Sequence, residues 1–371
     1  MKIGIMTYHR AENYGSVLQA YALSTTIKKL GHDPEIIDYH SEAQDKMFQL
    51  YNGSHSLGGT LRNLLAFVYQ KKLKAKKESF SSFLKNRVQL SRDDYNDRSD
   101  LSVLNSEYDF FICGSDQVWN TACTDYTDAY LLDFAEKKQC CMSFAASIGV
   151  SRIKPEEEEK FKTSISGFKY ISVRERTAKE CLERILERKV DVVPDPVVLL
   201  SKEEWDDLAA DNRFSDYILC YFIGDAPRMR EFAKRMHKLS GLPLVFTNFS
   251  LRDTATAGYK AYDTGPQEFI SLIKNAKYIC TDSFHAVLFS LIYHKNFWVF
   301  TKLNKGSSRS RIDDIAFRVS LTDRVLNTDK ELPDDPLCDI DYTGVDPIVE
   351  EYAGYGYSRL KENTTPIDND S

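Results

Sequence analysis

Short apolar runs alternate along the chain with longer segments whose apolar residues recur every three or four positions. "KIGIMTY" (2–8) is a compact apolar run of the kind that forms a buried strand. The segment "NYGSVLQAYALSTTIKKLG" (13–31) follows it, with apolar positions at helical spacing and a glycine, Gly31, suited to the residue after a helix end. "PEIIDY" (34–39) is a second strand, so the chain opens as a strand–helix–strand unit. Further strands are predicted over 108–114, 139–147, 169–175 and 190–196. Past residue 200 the alternation starts again, with strands at 217–224, 242–248, 276–282 and 296–301. Helices are predicted between them at 226–240, 266–275, after 282, and at about 309–318.

Two series of the same build predict an α/β protein with two Rossmann-like domains facing each other across a cleft. Residues 1–200 form the first and 201–325 the second. The last stretch, 326–371, is acidic, Tyr-rich and weakly patterned, and is expected to pack back across the domains or fray. An insertion at about 42–105 interrupts the first series. It contains "QKKLKAKKESFSSFLKNR" (70–87), basic and helical in pattern. The plain reading is a solvated helical face over an apolar stripe; the sharper one is a surface that meets anionic lipid or an anionic carrier.

Composition narrows the function classes. A length of 371 residues suggests two domains, and 42% hydrophobic with 28% charged residues is the balance of a soluble protein. A net charge of −6 argues against a general nucleic-acid binder, while leaving room for local cationic clusters that hold small anions. No run approaches the ~20 apolar residues needed to cross a bilayer, and the N-terminus has no signal-like segment. Eight cysteines are scattered without metal-ligand spacing, so no metal site is expected and a reduced, cytoplasmic enzyme is the default.

Ligands in such sheets gather at the carboxyl ends of strands, and polar residues collect there. His9, Arg10, Asn13, Gly15 and Gln19 follow the first strand; Ser115, Asp116, Gln117, Trp119 and Asn120 follow "YDFFIC". Arg174 and Glu175 follow "KYISV", and Asp282, Ser283 and His285 follow "AKYIC". Each has a bland rival. "NYG" is also a turn, "GSDQVWN" an Asx-type turn with Trp119 in a core, Arg174–Arg176 a surface ion-pair cluster, and His9 a loop brace. His285 carries more weight. With Asp282 or Ser283 as N-cap it lies in the first turn of an apolar helix, where free N–H groups and the helix dipole attract anions. His294, at the far end of that helix, reads as a structural cap. Lys302, Lys305, Arg309 and Arg311 then form a cationic segment after the next strand.

In the order "NYGSVLQAYAL", "FFICGSDQVWN", "ISVRERTA", "VPDPVVLL" and "TDSFHAVLFSLIYHKNFWVF", the chain resembles the polysaccharide pyruvyl transferase family over roughly residues 1–325. The resemblance implies a GT-B-like fold and transfer of a pyruvyl group from phosphoenolpyruvate to two hydroxyls of a sugar, forming a cyclic ketal. Phosphoenolpyruvate is then a co-substrate and no cofactor is implied. The acceptor is a sugar or glycan, free or lipid-linked, of a cell-surface polysaccharide, handled in the cytoplasm or at the inner face of the membrane. Catalysis falls on His285 and Arg174. The donor falls to Ser283, Asp282, Arg309 and Arg311, and the acceptor to Asn13, Gln19, Asp116 and Gln117. Many members have Arg-Leu-His where this chain has Ser283-Phe284-His285, so charge for the donor anion is expected from Arg309 or Arg311. The rivals are a GT-B glycosyltransferase using a nucleotide sugar, with Asp282 at the ribose, and a catalytically silent glycan-binding homologue.

Overall fold

The computed structural model describes residues 1–47, 57–224, 227–301, 309–327 and 331–365. Its first sheet is built from β1 (Lys2–Met6), β2 (Asp33–His40), β3 (Leu90–Asn96), β4 (Phe110–Cys113), β5 (Cys141–Ala146), β6 (Tyr170–Val173) and β7 (Asp191–Val192). The second uses β8 (Ile218–Tyr221), β9 (Leu244–Phe246), β10 (Tyr259–Lys260), β11 (Tyr278–Thr281), β12 (Asn296–Phe300) and β13 (Val325–Leu326). The central strands are buried along their length, as strands covered by helices on both faces must be. Every strand pairing among the described residues is parallel.

Strand order is β3-β2-β1-β4-β5-β6-β7 in the first sheet and β10-β9-β8-β11-β12-β13 in the second. Each order reverses once, between β1 and β4 and between β8 and β11. Those two switch points are where crevices open at the carboxyl ends of doubly wound sheets. The two Rossmann-like halves face each other there.

Local chemistry sets the helix ends. Asn13 caps the first helix (Tyr14–Lys29), its side chain accepting from the Gly15 N–H at 2.9 Å. Gly31 just beyond the far end has φ +86°, which only glycine adopts freely. The same helix ties the halves together. The Tyr14 ring stacks on Phe269 with centroids 4.2 Å apart, and its hydroxyl donates to the Thr264 carbonyl at 3.0 Å.

Two segments differ from the sequence pattern. The insertion is helical over Glu42–Met47, Leu57–Val68 and Gln70–Arg87, but ends in β3. "LSRDDYN" has few apolar positions because it lies at the sheet edge, where polar residues are tolerated and discourage further pairing. Helix Gln70–Arg87 is more than a solvated face. Lys76, Phe80 and Phe83 are buried, and Lys76 donates to Asn248 Oδ1 at 3.1 Å, which joins the insertion to the second half. The chain's last part packs back: helix Asp346–Thr364 returns to the first half, where Lys169 donates to the Thr365 carbonyl at 2.8 Å.

Candidate active site

Both switch points are bridged by side chains. Across the first, Ser16 at the start of the first helix donates to Asp116 Oδ2 at 2.6 Å. Asp116 follows β4 and holds φ +70°, a left-handed conformation that Asp tolerates better than most non-glycine residues. Across the second, Asp282 accepts from the Ile223 and Gly224 N–H groups at 2.7 and 2.8 Å. Ser283 caps helix Phe284–Ile292 by accepting from the Ala286 N–H, so His285 stands in the first turn.

His285 reaches across the cleft and closes a buried network. Its Nε2 lies 3.4 Å from Asp195 Oδ2 and 3.5 Å from Arg174 Nη1. Arg174 in turn bonds Asp195 at 2.6 Å and Asp116 at 3.3 Å, and Ser115 donates to Asp195 at 2.9 Å. His285 and Arg174 are 6% and 4% exposed, so these contacts are made almost without water. Gly15 explains how the ring fits. A Cβ there would stand 2.0 Å from His285 Nδ1, so any side chain at residue 15 would displace the imidazole.

Three carboxylates and two guanidiniums share the network. Burial would raise the Asp195 carboxyl, but His285 and Arg174 overcome it and hold it well below the usual carboxylate range. At Asp116, burial is likewise overcome, by Arg174 and then His285. Burial disfavours the Arg174 cation, yet Asp195, Asp116 and Glu175 keep it firmly protonated. Glu175 accepts from Ser147 Oγ and the Ile148 N–H, and burial raises its carboxyl against the pull of Arg311 and Arg174. Among the described residues Arg311 stands apart from these groups in having no direct partner. It is 7% exposed, and among the described residues it makes no hydrogen bond or ion pair. Burial, and then repulsion from Arg174, push it down to about 10 against the pull of Glu175, Asp116 and Asp195. Its guanidinium and that of Arg174 lie 5.7 and 4.7 Å from the Phe284 ring and line one cavity with Asp195. An unpaired buried cation of this kind is costly unless something anionic joins it.

The sequence-derived candidates thus separate. His285, Arg174, Asp116 and Ser283 converge, and Arg311 faces them. Asn13 is occupied as a helix cap, and Gln117 accepts from Asn120 Nδ2 at 2.8 Å beside Gly149. Gln19 is not at the rim. It is fully buried, with its amide donating to Thr7, Tyr8 and Ser16, so it braces the first helix from beneath. Asp282 spends its carboxylate on the loop after β8. Arg309 begins helix Arg309–Arg318, but its side chain lies outside the described residues, as do Lys302 and Lys305. His9 and Arg10 both bond Asp38, and Trp119 is core. His294 bonds Asp346 at 2.9 Å, tying its helix end to the C-terminal helix. Asp195 was not foreseen as a site residue, although it stands between two prolines directly after a strand run. Among the described residues no three His, Cys, Asp or Glu side chains are grouped to hold a metal ion.

The chain has structural likenesses at low identity. UDP-GlcNAc 2-epimerase from Methanocaldococcus jannaschii, solved with UDP-GlcNAc and UDP, is 14% identical with a TM-score of 0.49, covering 98% of this chain and 99% of the other. UDP-N-acetylglucosamine 2-epimerase from Rickettsia bellii is 11% identical at 0.47, covering 98% and 95%. An E. coli heptosyltransferase with ADP is 10% identical at 0.40, covering 95% and 100%. No curated protein matches the chain. Residues 13–301, more than half of the chain, match the polysaccharide pyruvyl transferase family. That span runs from the cap of the first helix through Asp116, Arg174, Asp195 and His285 to the end of β12, and the chain belongs to the polysaccharide pyruvyl transferase family.

Proposed function

We propose that this enzyme moves the pyruvyl group of phosphoenolpyruvate onto two hydroxyls of a sugar in a cell-surface polysaccharide or its precursor, leaving a pyruvate ketal and inorganic phosphate. The unpaired Arg311 cation beside the His285–Asp195–Arg174 network carries this reading. A small polyanion such as phosphoenolpyruvate would supply acceptors for the open N–H groups of Arg311. Arg311 and the free N–H groups at the start of helix Phe284–Ile292 would hold its carboxylate and phosphate. Where relatives place an arginine two residues before the histidine, Ser283 supplies only a cap, and Arg311 would take over that charge.

The chemistry follows from the groups present. A proton goes to the methylene carbon of the enol phosphate, which becomes a methyl group and leaves a cationic carbon. One sugar hydroxyl adds to that carbon and loses its proton; the second hydroxyl then displaces phosphate, which departs with the second proton. His285, held by Asp195, is placed to give and take these protons, a role worth about 10²–10⁴-fold in rate. Asp116 on the opposite half would orient the acceptor hydroxyls. Asp282, needed by a nucleotide-sugar reading for the ribose, already accepts two backbone N–H groups.

The test is to incubate the enzyme with phosphoenolpyruvate and candidate glycans, following phosphate release and product mass. Acceptor-dependent phosphate release with a gain of one pyruvate ketal is expected. His285→Ala should lose at least about a hundredfold in rate while still folding cooperatively. Sugar transfer from a nucleotide sugar without use of phosphoenolpyruvate would overturn the proposal, and so would an undiminished rate in His285→Ala.

A further inference from the structure

Helix Leu57–Val68 turns Leu61, Leu64, Phe67 and Val68 outward, 50%, 60%, 60% and 66% exposed. Their spacing of three and four puts them on one stripe, while Gly59 and Ala66 on the other side are buried. Helical bonding runs on through Tyr69, whose N–H donates to the Leu65 carbonyl and whose carbonyl accepts from the Leu73 N–H, both at 3.0 Å. Lys71 therefore follows Val68 by three residues, and Lys74 follows Phe67 by seven, so the apolar stripe continues into a cationic one. Lys71, Lys72, Lys74 and Lys77 are all exposed. Residues 57–77 hold five lysines, one arginine and no Asp or Glu, in a chain whose net charge is −6.

A contiguous exposed apolar patch marks an interaction site, and the charge beside it selects the partner. A second copy meeting face to face would set these lysines against each other. An anionic bilayer fits both halves of the feature. We propose that the two insertion helices dock the enzyme on a membrane surface rich in anionic lipid. Leu61, Leu64, Phe67 and Val68 enter the boundary between headgroups and acyl chains, and Lys71 and Lys74 meet the lipid phosphates. Among the described residues no helix is long and apolar enough to cross a membrane, and the proposed contact lies in the surface plane. The inference does not depend on the identity of the donor.

Co-sedimentation of the full chain with vesicles tests it. Vesicles of phosphatidylcholine with phosphatidylglycerol should bind it, those of phosphatidylcholine alone at least about tenfold less, and added salt should release it. Neutralising Lys71 and Lys74 (K71Q, K74Q) should lower partitioning about fivefold each. The pair Leu64→Glu and Phe67→Glu should abolish binding at low salt, with melting temperatures unchanged because these side chains are exposed. The proposal falls if both vesicle types bind equally, if neither does, or if the variants bind like the parent. It also falls if the parent is a dimer that Leu64→Glu with Phe67→Glu converts to monomer, which would assign the patch to self-association.

Discussion

Arg311 is a residue whose cost to the fold and whose proposed use in the reaction have opposite signs. A guanidinium that is buried without a partner destabilises the chain, and a pKa near 10 leaves it charged at neutral pH. Arg311→Met keeps much of the apolar stem and removes the charge. Its melting temperature should rise, by about 1–3 kcal/mol of stability, while the KM for phosphoenolpyruvate rises about tenfold or more. Thermal melts and donor kinetics on one preparation check both. A structural cation would lower stability on removal, so a falling melting temperature would refute the donor-clamp role. Arg311→Lys should recover part of the donor affinity, since a point charge replaces a two-pronged one.

Among the elements, helix Gln70–Arg87 joins the two halves through a buried lysine. Lys76 sits over the Tyr14 ring at 4.7 Å and donates to Asn248 across the cleft. Burial pushes its pKa down to about 8, against the pull of Glu12. In the unfolded chain a lysine keeps its ordinary value near 10.4, so the folded state holds fewer protons between those two values. Below about pH 8 the full penalty for the buried charge is present; as pH rises through 8 toward 10.4 the penalty fades. Its size is on the order of 3 kcal/mol. Lys76→Met should therefore be more stable than the parent at pH 7, and the gap should narrow by pH 10. Denaturant melts of both proteins across that range measure it, and a gap that widens with pH would contradict the assignment. The element pattern itself was largely legible: the apolar runs at 2–8, 108–114 and 276–282 became central strands because buried parallel strands must be apolar throughout. β3 was hidden because an edge strand carries polar residues, and helix Asp346–Thr364 because Gly354 and Gly356 dilute its pattern.

At the scale of the whole molecule, the site is made of residues far apart in sequence that two sheet reversals bring to one place. His285 and Arg174 were legible because each follows an apolar strand run and strand ends share one rim. Asp195 was not, since β7 is two residues long and "PDP" reads as a turn. Gln19 misled for the opposite reason: helical spacing places a polar residue near a strand end but does not say which face it takes. The C-terminal helix adds a dependence that no local pattern could suggest. Gly356 packs so closely on the turn after β7 that a Cβ there would stand 2.4 Å from Pro194 Cγ and 3.1 Å from Leu199. Pro194 precedes Asp195, and Asp195 in turn caps the following turn by accepting from the Val197 N–H at 3.1 Å. Gly356→Ala must move either the helix or that turn, and the turn carries the carboxylate that holds both His285 and Arg174. It should cost about 1–3 kcal/mol in stability and lower kcat more than it changes KM. Gly354→Ala is the matched control, because a Cβ there meets nothing within 4 Å. That substitution should stabilise the helix by about 0.5–1 kcal/mol and leave kcat alone. Equal kcat in the two variants would mean that the C-terminal helix only closes the fold; a loss confined to Gly356→Ala would make the last helix of the chain a positioning element for an active site formed by both halves.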